Sequence, residues 1–191
     1  MIPKNTKKII LYLLKNLELE NINQISKKLK ISVGSVFKIF KKLEESNMVF
    51  SSNLGNAKFY QINLENNEIL KLCELLLIEE RRVLEGYSKI YGEEIMNFEN
   101  AELIILFGSV LNNKCFNDVD VLFVTNKPKE VTKFCLGLSK VRTKPIVPLI
   151  LEKKDLIKEI KTKKQVILDI LRTGVVLKGE SVFLDVLKNV K

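Results

Sequence analysis

The sequence predicts an α+β protein of two domains, and three observations carry that expectation. Apolar residues recur at helical spacing through Glu45, two β-type runs then flank a Gly/Asn turn, and from Glu102 onward apolar strand-like runs alternate with helical patterns. A chain of 191 residues, 46% hydrophobic and 29% charged, is long and apolar enough to bury a core and fits one large domain or two small ones.

The first element is an amphipathic helix over Asn5 to Lys15, with Ile9, Ile10, Leu13 and Leu14 on one stripe and Lys7, Lys8 and Lys15 outside it. A short helix follows at Ile22 to Leu29. Ile31 to Ser35 supplies a tight turn and an N-cap serine, after which Val36, Phe40 and Leu43 repeat at helical spacing. Met48 to Ser52 and Lys58 to Leu64 flank Asn53-Leu54-Gly55-Asn56-Ala57 and read as a hairpin. From Glu68, the residues Ile69, Leu72, Leu76, Val83, Tyr87 and Ile90 form a heptad-like stripe, which reads equally as a homodimer helix or as one packed on its own chain.

In the second half, Glu102 to Phe107 is a continuous apolar run that stops at Gly108-Ser109, and Asp118 to Val124 is a second strand opening on two carboxylates at i and i+2. Both carboxylates therefore project from one face. A helix over Glu130 to Ser139, a strand in KPIVPLILEKKDL, a helix over Leu156 to Leu171 and a strand in TGVVLKG complete the pattern. The expected domains are 1–66 and 99–191, joined by a helical segment over 67–98.

Charge and composition narrow the chemistry. The net charge is +9 with no histidine, which excludes imidazole bases, triads and zinc-histidine sites. Residues 1–66 hold eleven lysines against five glutamates, a net of +6, so the field that favours a polyanion is concentrated there. Cys73, Cys115 and Cys135 are widely spaced and odd in number, which argues for small buried hydrophobes in a reducing compartment. No basic-then-apolar leader opens the chain and no apolar run is long enough to span a bilayer, so a soluble, cytoplasmic protein without membrane partners is expected.

Helix, helix, helix and hairpin over residues 4 to 65 resemble a winged helix-turn-helix domain, with INQISKKLKISVGSVFKIFKKLEESNMV as its second and third helices. The resemblance implies double-stranded DNA as partner, the third helix in the major groove and the hairpin as a wing. By position, Ser35 and Lys38 face base edges, Ser32 stands at the helix start, Lys41 and Lys42 lie near phosphates, and Lys58 acts from the wing, with Lys28 and Lys30 as further phosphate contacts.

The stretch LFGSVLNNKCFNDVDVLFV resembles the signature of the polymerase-β-like nucleotidyltransferase superfamily, and the likeness to its minimal members extends over about residues 100 to 180. It implies that Gly108 and Ser109 bind the phosphates of a nucleoside triphosphate, ATP being the first candidate. It also makes Asp118 and Asp120 the catalytic carboxylates and Mg²⁺ ligands. The resemblance further implies a third carboxylate on a later strand. Ile146 to Ile150 offer none, and Glu152 lies just beyond. The combined expectation is a DNA-binding transcriptional regulator with a nucleotide-binding domain. The alternative is an active nucleotidyltransferase, an antitoxin that adenylylates a HEPN-type toxin partner and autoregulates its own operon.

Overall fold

The computed structural model describes residues 2–112 and 115–190, and the chain divides into two compact units, 1–76 and 77–191. Both contain helices and a β-sheet, as an α+β chain requires. Asn113 and Lys114, within the signature loop, lie outside the described residues.

The first unit contains α1 (Lys4–Lys15), β1 (Glu20–Asn21), α2 (Ile22–Leu29), α3 (Val33–Glu45), β2 (Val49–Leu54) and β3 (Ala57–Ile62). The stripes read from the sequence are the buried faces: Ile9, Ile10, Leu13 and Leu14 from α1, Ile25 from α2, and Val36, Phe40 and Leu43 from α3. Phe40 stacks on Tyr60 of β3 with ring centroids 4.0 Å apart, fixing α3 to the sheet. Strands β2 and β3 pair antiparallel around a two-residue Gly55-Asn56 turn, where Gly55 takes the positive φ that tight hairpins need. The strand order is β1-β3-β2, with Glu20 opposite Tyr60. Asn21 and Gln24 form a reciprocal capping box that starts α2.

Beneath that sheet edge, the buried Glu20 carboxylate accepts hydrogen bonds from Tyr12 at 2.7 and 2.8 Å and from Asn16 at 2.8 Å, and pairs with Lys28. Burial alone would raise the Glu20 pKa, but the bonds from Lys28, Tyr12 and Asn16 outweigh it and hold the carboxyl below its usual value. Its stabilising contribution is therefore complete above the ordinary value of 4.5 and is lost as pH falls through the lower folded one. Glu20→Gln is expected to lower unfolding free energy by about 1–3 kcal/mol at neutral pH. The deficit should shrink in acid; urea unfolding followed by circular dichroism at pH 7 and pH 3.5 measures both.

A break divides the helical connection. α4 (Asn67–Arg82) is capped by the Asn66 side chain, which accepts from the backbone N–H of Glu68 and Ile69. It ends before α5 (Gly86–Ile95) begins. The expected single stripe is thus corrected: Ile69 and Leu76 are buried, whereas Val83, Tyr87 and Ile90 are 72%, 52% and 41% exposed. α5 buries Ser88, Tyr91, Gly92 and Ile95 instead. The unit boundary falls ten residues beyond the expected 66, inside α4.

The second unit continues with β4 (Leu103–Phe107), a short 3-10 turn, β5 (Val119–Val124), α6 (Pro128–Val141), β6 (Ile146–Leu151), α7 (Lys153–Lys161), α8 (Gln165–Thr173), β7 (Val175–Lys178) and α9 (Glu180–Lys188). Its sheet runs β6-β5-β4-β7, with β5 and β6 parallel across the α6 crossover and the other pairs antiparallel. The helix expected over Leu156 to Leu171 is two helices, broken where Lys163 adopts φ 54°. Val119, Val121 and Phe123 bury one sheet face with α5 and α6 through Tyr91, Ile95, Val131 and Cys135. Cys73 and Cys135 are buried as expected, and burial pushes the Cys135 thiol up to about 11. Cys115 is exposed, which corrects its expected packing role. Among the described residues, no helix is long and apolar enough to cross a membrane.

Candidate functional site

In the first unit the candidate residues lie along α3 and the hairpin. Ser32 is the N-cap: its Oγ accepts from Ser35 N–H at 3.3 Å and donates to Ser35 Oγ at 2.8 Å. The cap explains why a serine stands where the helix begins. Lys38, Lys41 and Lys42 are exposed along α3, and Phe37, 55% exposed, shares that surface. Lys58, on the hairpin as expected of a wing residue, is engaged by a carboxylate. Its Nζ lies 2.7 and 2.9 Å from the two Glu44 oxygens and 5.5 Å from the Tyr60 ring centroid. Glu44 also accepts from Ser51, so one carboxylate ties α3 to both strands of the hairpin. Those bonds, Lys58 first, hold Glu44 below the usual carboxylate range. Lys28 is likewise engaged, by Glu20.

In the second unit, chemistry concentrates where β4 ends and β5 begins. Phe107 pairs with Asp120, and Asp120 pairs on its other side with Val147 of β6. Directly registered residues point to the same sheet face. Phe107, Asp120 and Val147 therefore form one row, and Asp118, just ahead of β5, is close enough for its charge to act on Asp120. Gly108 has φ 81°, and a Cβ there would lie 2.2 Å from Asp120 Oδ2 and 3.1 Å from its Cγ. Only glycine combines that backbone geometry with room for the carboxylate. Ser109 follows on the exposed start of the 3-10 turn.

Burial, and after it the Asp118 charge, raise the Asp120 carboxyl above its ordinary value. A carboxylate whose charged form is disfavoured by burial and by a neighbouring negative charge gains from a nearby cation. Among the described residues no group of three or more His, Cys, Asp or Glu side chains could hold a metal unaided. A pair of carboxylates does fit Mg²⁺ arriving on a triphosphate, because that ion commonly takes one or two carboxylates and fills its octahedron with phosphate oxygens and water.

Register also locates what sequence could not. Val147, 45% exposed, occupies the position beside Asp120 where a third same-face carboxylate would stand. Glu152 cannot replace it. It follows Leu151, which pairs with Val124 at the opposite end of β5, five strand steps or about 17 Å from Val119. Its carboxylate pairs with Lys154. Arg142 is bound by Glu94. Tyr91 Oη donates to the Lys144 carbonyl and accepts from its N–H, both at 3.1 Å, fixing the entry to β6. No protein-family model, no curated protein and no solved structure matches this chain.

Proposed function

We propose that the protein is a DNA-binding transcriptional regulator whose second unit binds a nucleoside triphosphate, ATP first, together with Mg²⁺. The carrying observation is the seating of Asp120 against the Cβ-free side of Gly108, with Asp118 just ahead of the same strand. Gly108 and Ser109 open a turn at which backbone and hydroxyl groups can approach phosphate oxygens. Asp118 and Asp120 would hold Mg²⁺, which supplies positive charge to those oxygens. Winged helix-turn-helix and nucleotidyltransferase-like are the domain readings these features support best.

The DNA reading rests on α3, where a capped start is followed by Lys38, Lys41 and Lys42 beside a three-stranded sheet. With no arginine on that helix, bidentate guanine contacts are absent, and discrimination falls to Ser35, Lys38 and duplex shape. Val147 favours nucleotide binding over transfer, which leaves the adenylylating-antitoxin role the weaker reading.

Two titrations test the proposal. Labelled ATP should bind the wild-type chain only with Mg²⁺ and fail to bind Asp118→Asn/Asp120→Asn; metal-independent binding, or none, refutes the nucleotide site. Binding to selected AT-rich duplexes should weaken steeply with salt. The log–log salt slope should fall by about 1 for each of Lys38→Gln and Lys41→Gln that removes a phosphate contact. Association indifferent to salt and to both substitutions refutes the DNA interface.

A further inference from the structure

The first unit contains a cavity of about 510 Å³ beside α3, within the ~300–1,000 Å³ typical of small-molecule sites. Ile10 of α1, Ile39 and Leu43 of α3, Met48 and Leu72 make its wall apolar. Thr6 and Ser35 supply hydroxyls. Among the described residues that line it, the charged groups are Lys38 and Lys42, one helical turn apart on α3, and none is a carboxylate. Among the described residues neither ammonium is engaged in an ion pair.

An apolar chamber with two unpaired cations at its edge selects for a ligand of complementary design. An apolar tail gains by leaving water, while an anionic head gains from two ammonium groups on flexible stems that can close over it. A neutral apolar molecule would leave the lysines unused. An inorganic anion would leave the wall wet.

We propose that this cavity binds a small amphipathic carboxylate, and that its occupancy withdraws Lys38 and Lys42 from DNA. The second clause rests on the DNA-binding reading; the first does not. Because the same two side chains serve both ligands, carboxylate and duplex must weaken one another by the same factor.

Calorimetric titration of the full chain with octanoate, octanol and an acidic amphipathic peptide tests the site without DNA. Octanoate should bind about tenfold more tightly than octanol, and Lys38→Gln/Lys42→Gln should abolish that preference. Both lysines are exposed, so a circular dichroism melt should show the double variant folded. Absence of octanoate binding, equal binding of octanol, or an unchanged preference in the double variant overturns the proposal. Binding of the peptide through the same lysines with octanoate excluded also overturns it, in favour of a protein partner. Saturating octanoate should then weaken duplex binding by about tenfold. If octanoate binds as stated but no duplex binds under any condition, the DNA reading fails and the carboxylate site stands. Duplex affinity indifferent to bound octanoate overturns the coupling.

Discussion

Gly108→Ala is expected to weaken Mg²⁺-dependent ATP binding by more than about tenfold while the chain remains folded. The argument has two parts that act together. Alanine at φ 81° costs about 1–2 kcal/mol in backbone strain, and its methyl would stand 2.2 Å from Asp120 Oδ2, too close for either group to stay. The turn is exposed, so the backbone can yield without opening the core beneath it. Asp120 can yield too, but only by rotating away from the position that faces the turn. Either movement separates the carboxylate from the turn backbone proposed to meet the phosphates. A fluorescent ATP analogue titrated with and without Mg²⁺ measures the loss, and a thermal melt should fall by only a few degrees. Wild-type affinity in the alanine variant would place any nucleotide elsewhere. Ser109→Ala provides the comparison, since it removes one hydroxyl without adding strain and should cost less.

That effect is partly legible in the sequence. A strand ending abruptly in Gly-Ser, followed by Asp-x-Asp at the head of another strand, sets both ends of the site through local patterns alone. The three stripes of α1, α2 and α3 were legible for the same reason: a period of 3.6 leaves one apolar face, and Ile9, Ile25 and Phe40 are fully buried on it. Features that depend on register or on pairs distant in sequence were not. Nothing local marks Glu20–Asn21 as a strand, because two residues carry no period. The Glu44–Lys58 pair joins residues fourteen apart across a hairpin. The apolar stripe of 67–90 is nearly continuous, yet α4 ends at Arg82 and α5 turns a different face inward, a change that spacing alone does not announce. Lys163 ends α7 with a left-handed residue that is not glycine, so the usual stop signal is missing.

Register has a further consequence in Val147. Converting it to aspartate should make melting depend on a divalent cation more strongly than in the wild-type chain, because β6 sets this position beside Asp120 on the same face. The substitution removes a half-exposed valine rather than a core residue, so little packing is lost. Without a divalent ion, a third carboxylate beside Asp118 and Asp120 adds repulsion where Asp120 is already pushed above its ordinary value. With the ion, the same charge becomes a third ligand, so the two states move in opposite directions. Val147→Asp should therefore melt lower than wild type in chelator and gain more stability on adding Mg²⁺ or Mn²⁺, by RT ln(1 + [L]/Kd). With ATP present it should also transfer labelled nucleotide to an acceptor hydroxyl, with loss of pyrophosphate, more readily than wild type. Asp118→Asn in the Val147→Asp background should remove both gains. A Val147→Asp chain whose melting is indifferent to divalent ions would show that Asp118, Asp120 and residue 147 do not converge on one ion, whatever the strand pairing suggests.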